Sequence, residues 1–135
     1  MKVGIVGMGF VGSALESGLK ESVNTLKIDP KLNTKVFDLV AFNPEFIFIC
    51  VPTPLNDNGS QDIRILKSVM RELNENKISS IIVIKSTVAP DKLCSLNESY
   101  DFVYNPEFLR EKAAQKDFIN GDLVLFGGKR DLCIT

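Results

Sequence analysis

The sequence predicts an α/β fold in which a doubly wound, mostly parallel sheet carries helices on both faces. An apolar strand at residues 2–7 opens the chain and runs directly into a Gly-x-Gly-x-x-Gly motif. Further runs at 46–51 and 81–84 are apolar throughout, which is what a sheet covered on both faces requires. Segments with helical spacing of apolar residues separate these runs, and such alternation of strand and helix is typical of parallel sheets.

The individual elements follow from the same patterns. Strands are expected at 2–7, 25–29, 46–51, 81–85, 100–104 and 123–126. A first helix should follow the glycine motif, because apolar residues share one helical face there: Val11, Ala14, Leu15, Gly18 and Leu19. A later helix is predicted from the same spacing, with Ser60 and Asp62 as start signals for Ile63, Leu66, Val69, Met70 and Leu73. Residues 37–42 fit a short strand, a helical turn or both.

Length and composition indicate one globular domain that spans residues 1–135. The chain has no internal repeat, low-complexity tract or linker, and its 44% hydrophobic and 24% charged content is ordinary. A net charge of −1 gives no attraction toward nucleic acid or an anionic membrane, and no apolar run is long enough to cross a membrane. The three cysteines, Cys50, Cys94 and Cys133, predict neither a disulfide framework nor a metal site, and they favour a cytoplasmic location.

The glycine motif is suited to binding a pyrophosphate. Gly7 permits the tight turn out of the strand, Gly9 leaves room for the phosphates, and Gly12 lets the next helix pack closely on the sheet. The N-terminus of that helix then presents free N–H groups to the anion. This combination predicts a dinucleotide-binding domain of the Rossmann type.

An acidic residue at the end of the second strand indicates which dinucleotide is bound. Asp29 follows Gly7 by about 20 residues, where the dinucleotide fingerprint has an acid that binds the ribose hydroxyls. A carboxylate at this position would repel the additional phosphate of NADP, and the neighbouring Lys31 does not easily reverse that preference. The sequence therefore predicts NAD as the cofactor.

The remaining polar motifs also follow predicted strands, where ligands of parallel sheets bind. Residues 52–54 read Pro-Thr-Pro, residues 85–87 read Lys-Ser-Thr, and residues 105–111 carry Glu107 and Glu111. These two carboxylates would share a face if their segment were helical. Because the chain has no histidine, a general base must be a carboxylate, Lys, Tyr, Cys or water. Each loop taken alone is equally consistent with ordinary turn chemistry.

Four of these stretches together resemble the NAD-binding domain of the UDP-glucose/GDP-mannose dehydrogenase family. They lie at residues 7–12, 50–55, 85–88 and 105–111, and the resemblance spans almost the whole chain. It implies oxidation of the CH2OH group of a nucleotide sugar to a carboxylate, with two molecules of NAD as hydride acceptors. In the family, a cysteine of a later domain carries the thioester that water hydrolyses.

The resemblance also assigns roles to residues of this chain. Thr87 corresponds to the threonine that holds the reacting water, Glu107 to the glutamate tied to that water and to ester hydrolysis, and Glu111 to a glutamate beside the nicotinamide. The nucleotide sugar would be lined by Glu107, Phe108, Leu109 and Arg110. The cofactor would be bound by Gly7, Gly9, Phe10, Val11, Gly12, Asp29, Val51, Pro52, Thr53, Ser86, Thr87 and Glu111.

The sequence departs from the family in what it lacks. The dimerising central helix and the second domain with the nucleophilic cysteine are absent, and Cys133 lacks the motif that surrounds that cysteine. We therefore expect an enzyme domain that a second chain, a homodimer or a further segment completes. An alternative is a compact NAD-binding module without dehydrogenase turnover that acts with a partner chain. A β-hydroxyacid-type dehydrogenase domain is a weaker reading, since it would not be expected to carry the 105–111 motif.

Overall fold

Six short strands form one sheet in the order β2-β1-β3-β4-β5-β6 in a computed structural model of the chain. Residues 1–121 and 123–134 are described, and of Glu111 the backbone alone. The strands are β1 Lys2–Val6, β2 Asn24–Ile28, β3 Phe46–Ile49, β4 Ile81–Ile84, β5 Val103–Tyr104 and β6 Gly127–Gly128. All neighbours pair in parallel except β6, which is antiparallel to β5. The predicted doubly wound, mostly parallel sheet is confirmed.

Helices connect the strands and lie on both faces of the sheet. They are α1 Phe10–Gly18, α2 Asp38–Phe42, α3 Arg64–Glu75, α4 Pro90–Asn97, α5 Ala114–Asn120 and α6 Arg130–Ile134. Short 3-10 turns add Pro30–Leu32 and Glu111–Ala113. The predicted helices after the glycine motif and before β4 are both present as α1 and α3. The ambiguous stretch at 37–42 is the helix α2.

Alternate side chains of the central strands enter two separate cores. Ile47 and Ile49 of β3 pack with the α3 side chains Leu66 and Met70, all four of them fully buried. On the opposite face, Val3 and Ile5 of β1 pack against Leu15 of α1 and Phe118 of α5. This alternation explains why strands 46–49 and 81–84 are apolar at every position.

The last strand differs from its prediction. Residues 123–126 were expected to form a strand, but the pairing with β5 falls on Gly127–Gly128, and β5 itself is shorter than the expected 100–104. Gly128 has a φ of 143°, and a Cβ there would lie 2.7 Å from the carbonyl oxygen of Phe102. The close approach of the two backbones therefore requires glycine at position 128. The apolar side chains from Leu123 to Phe126 are exposed.

The segment before α5 also differs from its prediction. Residues 105–110 form neither a helix nor a strand, and the first helical turn begins only at Glu111. Pro106 disfavours helical backbone at Asn105, so the chain leaves β5 as an irregular loop. Glu107 and Glu111 consequently do not share a helical face, and Glu107 does not begin a helix.

Of the two residues expected to mark the start of α3, Asp62 contacts the helix and Ser60 does not. Asp62 lies just before the N-cap residue Ile63 and accepts a hydrogen bond at 2.9 Å from the backbone N–H of Arg64, the first residue of the helix. Ser60 lies outside the helix and bonds to Asn56 and Asn58 within a loop, so its predicted capping role is wrong. Asn58 and Gly59 lie in a turn of this loop, and the backbone N–H and hydroxyl of Ser60 bind the Asn58 side chain there.

Candidate functional site

A cavity of about 870 Å³ lies at the carboxyl ends of β1, β2, β3 and β4, where the fold predicts a ligand. Its size is in the range of small-molecule and cofactor sites. The glycine loop, the loops that follow β2, β3 and β4, the start of α1 and one face of α3 form its walls. Among the lining residues are the predicted cofactor residues Gly7, Gly9, Phe10, Val11, Asp29, Val51, Pro52, Thr53, Ser86 and Thr87. We call this space the cofactor cavity.

The glycine loop at the base of the cavity cannot be built with larger residues at two positions. Gly7 has a φ of 93°, and a Cβ there would lie 2.6 Å from the carbonyl oxygen of Cys50. A Cβ at Gly12 would overlap the carbonyl oxygen of Gly7. No side chain caps the N-terminus of α1, so its first N–H groups are available to a ligand. A Cβ at Gly9 would meet no protein atom within 4 Å, which leaves open space where a pyrophosphate would lie.

Asp29 joins the glycine loop to the end of β2. One carboxylate oxygen accepts a hydrogen bond from the backbone N–H of Met8 at 2.8 Å, and the other accepts from Lys31 at 2.9 Å. The bond from Met8, followed by that from Lys31, lowers the pKa of Asp29 below its ordinary value of 3.8. The carboxylate is therefore charged and oriented within the cavity lining. Each oxygen retains a lone pair for a hydroxyl of a ligand.

Hydrogen bonds between loops fix the wall opposite the glycine loop. Thr53 donates its hydroxyl to the carbonyl oxygen of Thr87 at 2.6 Å, and Ser86 donates its hydroxyl to that of Val51 at 2.7 Å. Gln61 also donates to the Thr87 oxygen at 2.9 Å and accepts from the N–H of Ala89 at 2.8 Å. Sequence reasoning missed Gln61, because a single amide in a loop carries no pattern.

A second cavity of about 680 Å³ lies on the α1 and α5 face of the sheet. Its walls are mainly apolar side chains of β3 and β4 together with Leu123, Val124 and Phe126. Glu107, Phe108 and Leu109 line it, together with Lys85 and Asn105 at the ends of β4 and β5. We call it the glutamate cavity.

The structure does not place the predicted catalytic residues in one cavity. Thr87 is exposed and lines the cofactor cavity, whereas Glu107 is half-buried and lines the glutamate cavity. The side chain of Glu111, predicted both as a catalytic and as a cofactor residue, lies outside the described part of the chain. Further groups would have to bridge the two cavities for Thr87 and Glu107 to act on one substrate.

Arg110, a predicted substrate residue, is bound to the protein itself. Its guanidinium and its backbone N–H all contact the carboxylate of Asp117 on α5, with the shortest distance 2.7 Å. These hydrogen bonds lower the pKa of Asp117 to about 2. These hydrogen bonds connect the irregular loop to α5. Phe108 of the same loop is exposed.

The cysteines can be ranked by their reactivity toward a thiol reagent at pH 8. Cys94 is exposed and should react fastest, Cys133 more slowly, and Cys50 only when the protein unfolds. Burial raises the pKa of the Cys50 thiol to about 12, so that about 10⁻⁴ of it is thiolate at pH 8. A chromogenic disulfide reagent measures the rates, and Cys50→Ala should remove the fraction released by denaturant. Rapid reaction of all three native thiols would contradict this burial.

The described residues offer neither a metal site nor a membrane-spanning helix. In residues 1–121 and 123–134, no three His, Cys, Asp or Glu side chains are grouped to hold a metal ion. None of the helices described there is long and apolar enough to cross a membrane.

The fold and the cofactor cavity define a dinucleotide-binding domain of the Rossmann type. The open space at Gly9, the uncapped start of α1 and the oriented Asp29 carboxylate fit such a ligand. Residues 13–135 match the model of the UDP-glucose/GDP-mannose dehydrogenase family, NAD binding domain. The chain belongs to this family and is its NAD-binding domain, which confirms the resemblance noted in the sequence.

Individual relatives agree with this assignment. The chain is 36% identical over 124 residues to a UDP-glucose 6-dehydrogenase of Rickettsia felis, which covers 84% of this chain and 26% of that protein. It is 30% identical over 133 residues to UDP-glucose 6-dehydrogenase AglM of Haloferax volcanii, covering 86% and 31%. The chain therefore spans about a quarter to a third of the length of these relatives.

Solved structures show the same fold. A UDP-glucose dehydrogenase from Pyrobaculum islandicum matches with a TM-score of 0.77 and 22% identity, over 96% of this chain and 41% of that one. GDP-mannose dehydrogenase from Pseudomonas aeruginosa, in a ternary complex, matches with a TM-score of 0.71 and 21% identity, over 95% and 41%. At these identities the likeness concerns the fold alone.

Proposed function

We propose that this chain supplies the NAD site of an enzyme that oxidises the CH2OH group of a nucleotide sugar to a carboxylate. The observation that carries the proposal is the cofactor cavity, in which an open glycine loop faces an oriented carboxylate at the end of β2. The family to which the chain belongs and the two UDP-glucose 6-dehydrogenase relatives support the reaction class.

The chain's own residues have separate tasks in this proposal. The backbone at Gly9 and the start of α1 would hold the pyrophosphate, and Asp29 would hold the ribose. Thr53 and Gln61 stiffen the wall near the reacting end through the Thr87 carbonyl. NAD, when bound, accepts the hydride of each oxidation step.

Glu107 is the proposed base for the hydrolytic part of the reaction. Conversion of a primary alcohol to a carboxylate removes two hydrides and takes one oxygen atom from water, so a group must accept the proton of that water. Glu107 lines the glutamate cavity and is only partly exposed, and the chain contains no histidine for the task. Phe108 and Leu109 of the same loop would contact the sugar nucleotide, as the resemblance implies.

The chain acts with further protein groups in this proposal. It spans 26% and 31% of the two relatives, and Thr87 and Glu107 lie in different cavities. A second chain, a homodimer or a further segment would complete the substrate site and bring the nucleophilic cysteine. The same observations support the alternative of an NAD-binding module that acts through a partner chain. The unpaired state of Cys50, Cys94 and Cys133 favours the cytoplasm as its location.

Titration calorimetry with NAD and NADP tests the proposed cofactor site. We expect NAD to bind at least about tenfold more tightly than NADP, because the Asp29 carboxylate would face the additional phosphate. UDP-glucose and GDP-mannose with NAD should then give little or no NADH from the chain alone. Absence of NAD binding would reject the proposal. Steady formation of uronate by this chain alone would reject its dependence on further groups.

A further inference from the structure

The ammonium group of Lys85 is buried at the end of β4, next to the glutamate cavity. Its side chain is 3% exposed, and Ser86 and Thr87, which follow it, face the cofactor cavity instead. A lysine is among the residues least often fully buried, because desolvation of the ammonium is unfavourable unless partners replace the water. The partners of Lys85 therefore indicate what the residue is for.

Three groups surround the Lys85 ammonium. Its Nζ donates to Oδ1 of Asn105 at 2.7 Å, forms an ion pair with Oε1 of Glu107, and lies 5.7 Å from the centre of the Phe118 ring. An ammonium has three N–H bonds, and two oxygens and one aromatic face match that number. Asn105 in turn donates to the carbonyl oxygen of Leu125 at 2.8 Å, which fixes its amide. The ammonium is thus held from three sides.

Glu107 lacks any comparable support from its own backbone. It follows Pro106 in the irregular stretch 105–110, so no helix or strand orients its side chain. Among the described residues, Lys85 is the polar group that binds its carboxylate, and it binds at Oε1. The second oxygen, Oε2, is consequently left for a ligand or a water molecule in the glutamate cavity.

A contribution to stability alone is a weak reason for this arrangement. Desolvation of a buried ion pair offsets much of the attraction between its charges, and an apolar pair of similar volume is often as stable. The surrounding side chains Phe48, Val83 and Phe118 would accommodate such a pair. The ion pair does fix the orientation of the Glu107 carboxylate, which no regular element of the loop 105–110 would otherwise orient.

We propose that Lys85 is a positioning residue that holds the Glu107 carboxylate in one orientation, with Oε2 directed to the water of the hydrolytic step. The proposal rests on the proposed function for the role of Glu107, but the orientation itself is a property of this chain. Asn105 and Phe118 would act one step further away, by holding the Lys85 ammonium against that carboxylate.

Carboxyl-carbon NMR of glutamate-labelled protein at fixed neutral pH tests the inference. The Glu107 signal, assigned with Glu107→Gln, should be displaced from those of the exposed glutamates in the wild type. Lys85→Met should move it into their range, whereas Lys85→Arg, which keeps a cation, should restore it. Lys27→Met, which breaks a half-exposed ion pair with Glu16, is the matched control and should leave the signal unchanged. A Glu107 signal at its wild-type position in Lys85→Met would overturn the proposal.

Two further readouts keep the test independent of folding and of NAD. If Lys85→Met does not fold, the NMR signal of the Lys85 ammonium is measured in its place. In the wild type this ammonium should be protected from exchange with water, and Glu107→Gln should remove the protection. Retained protection in Glu107→Gln would overturn the proposal. NAD affinity should stay within about twofold of wild type in Lys85→Arg, because Lys85 does not line the cofactor cavity. Failure of the wild type to bind NAD rejects the proposed function and leaves the Glu107 result standing.

Discussion

Gly12→Ala is expected to lower the free energy of unfolding by about 3 kcal/mol or more. The added Cβ would overlap the carbonyl oxygen of Gly7 and lie 3.1 Å from its carbonyl carbon. Neither atom can move easily, because Gly7 donates its N–H to Ile28 at 2.8 Å and has the backbone of Cys50 on its other side. Helix α1 would therefore have to move away from β1. Denaturant unfolding followed by circular dichroism measures the loss.

Gly9→Ala is the matched control, because it adds the same methyl group to the same loop without a clash. Gly9 has a φ of −82° and a ψ of −156°, which any residue adopts, and its Cβ would meet no protein atom within 4 Å. Its stability should equal or slightly exceed that of the wild type. Its affinity for NAD should fall at least about tenfold, because the methyl group projects into the space for the pyrophosphate.

The two glycine variants separate packing from ligand binding. A Gly12→Ala protein as stable as the wild type would show that α1 can move from β1 without strain. A Gly9→Ala protein that binds NAD with wild-type affinity would show that the pyrophosphate does not approach this loop. The second result would contradict the proposed cofactor site as well.

Asp29→Ala is expected to weaken NAD binding by at least about tenfold, the effect of losing one charge-assisted hydrogen bond. Two contributions are lost together, since the carboxylate is the proposed ribose ligand and also binds the Met8 N–H of the glycine loop. Asp29→Asn should have a smaller effect on NAD and should improve NADP relative to NAD, because it keeps an acceptor and removes the charge. Titration calorimetry with both dinucleotides gives the comparison.

Asp38→Ala is the control for Asp29. Asp38 also accepts a backbone N–H, from Lys35 at 2.7 Å, but it does not line the cofactor cavity. Its replacement should leave NAD affinity within about twofold of the wild type. Equal losses in the two alanine variants would mean that general loosening of the region after β2 explains the result. Unchanged affinity in Asp29→Ala would remove Asp29 from the ribose site.

The same carboxylate sets the direction of the pH dependence. Backbone N–H groups lower the pKa of Asp29 below 3.8, so the charged form is favoured in the folded chain. The charged Asp29 carboxylate therefore makes its full contribution to folding above pH 3.8. This contribution is lost as the pH falls through the lowered pKa. NAD affinity should therefore show no change from Asp29 between pH 8 and pH 5.

Local patterns predicted the central part of the fold well. The runs at 46–51 and 81–84, and the helical spacing from Ile63 to Leu73, correspond to β3, β4 and α3, because burial on both faces leaves a direct trace in residue type. The cofactor cavity was predictable for a related reason. Gly7 and Gly12 are required by backbone geometry, Gly9 keeps the space between them open, and ten of the predicted cofactor residues line that cavity.

The end of the chain was less predictable, because its structure depends on contacts between distant residues. The apolar residues 123–126 have a strand-like composition, yet the pairing with β5 falls on residues 127–128, where the backbone of Phe102 approaches too closely for a side chain at Gly128. Residues 105–110 could have continued as a helix by spacing alone. Pro106 and the hydrogen bonds of Arg110 to Asp117 and of Asn105 to Leu125 hold them in an irregular loop.

The amino-acid sequence by itself determined the doubly wound sheet, the glycine loop and the acid at the end of β2. The sheet and the glycine loop depend on short motifs or on a regular period, and short-range sterics and burial act at that range. Asp29 is recognised from its fixed distance along the chain from Gly7. Only the tertiary structure decided that Thr87 and Glu107 lie in separate cavities and that Lys85 forms an ion pair with Glu107. These contacts form where β3, β4 and β5 end next to one another. Which face of the sheet each side chain occupies there depends on packing across the sheet.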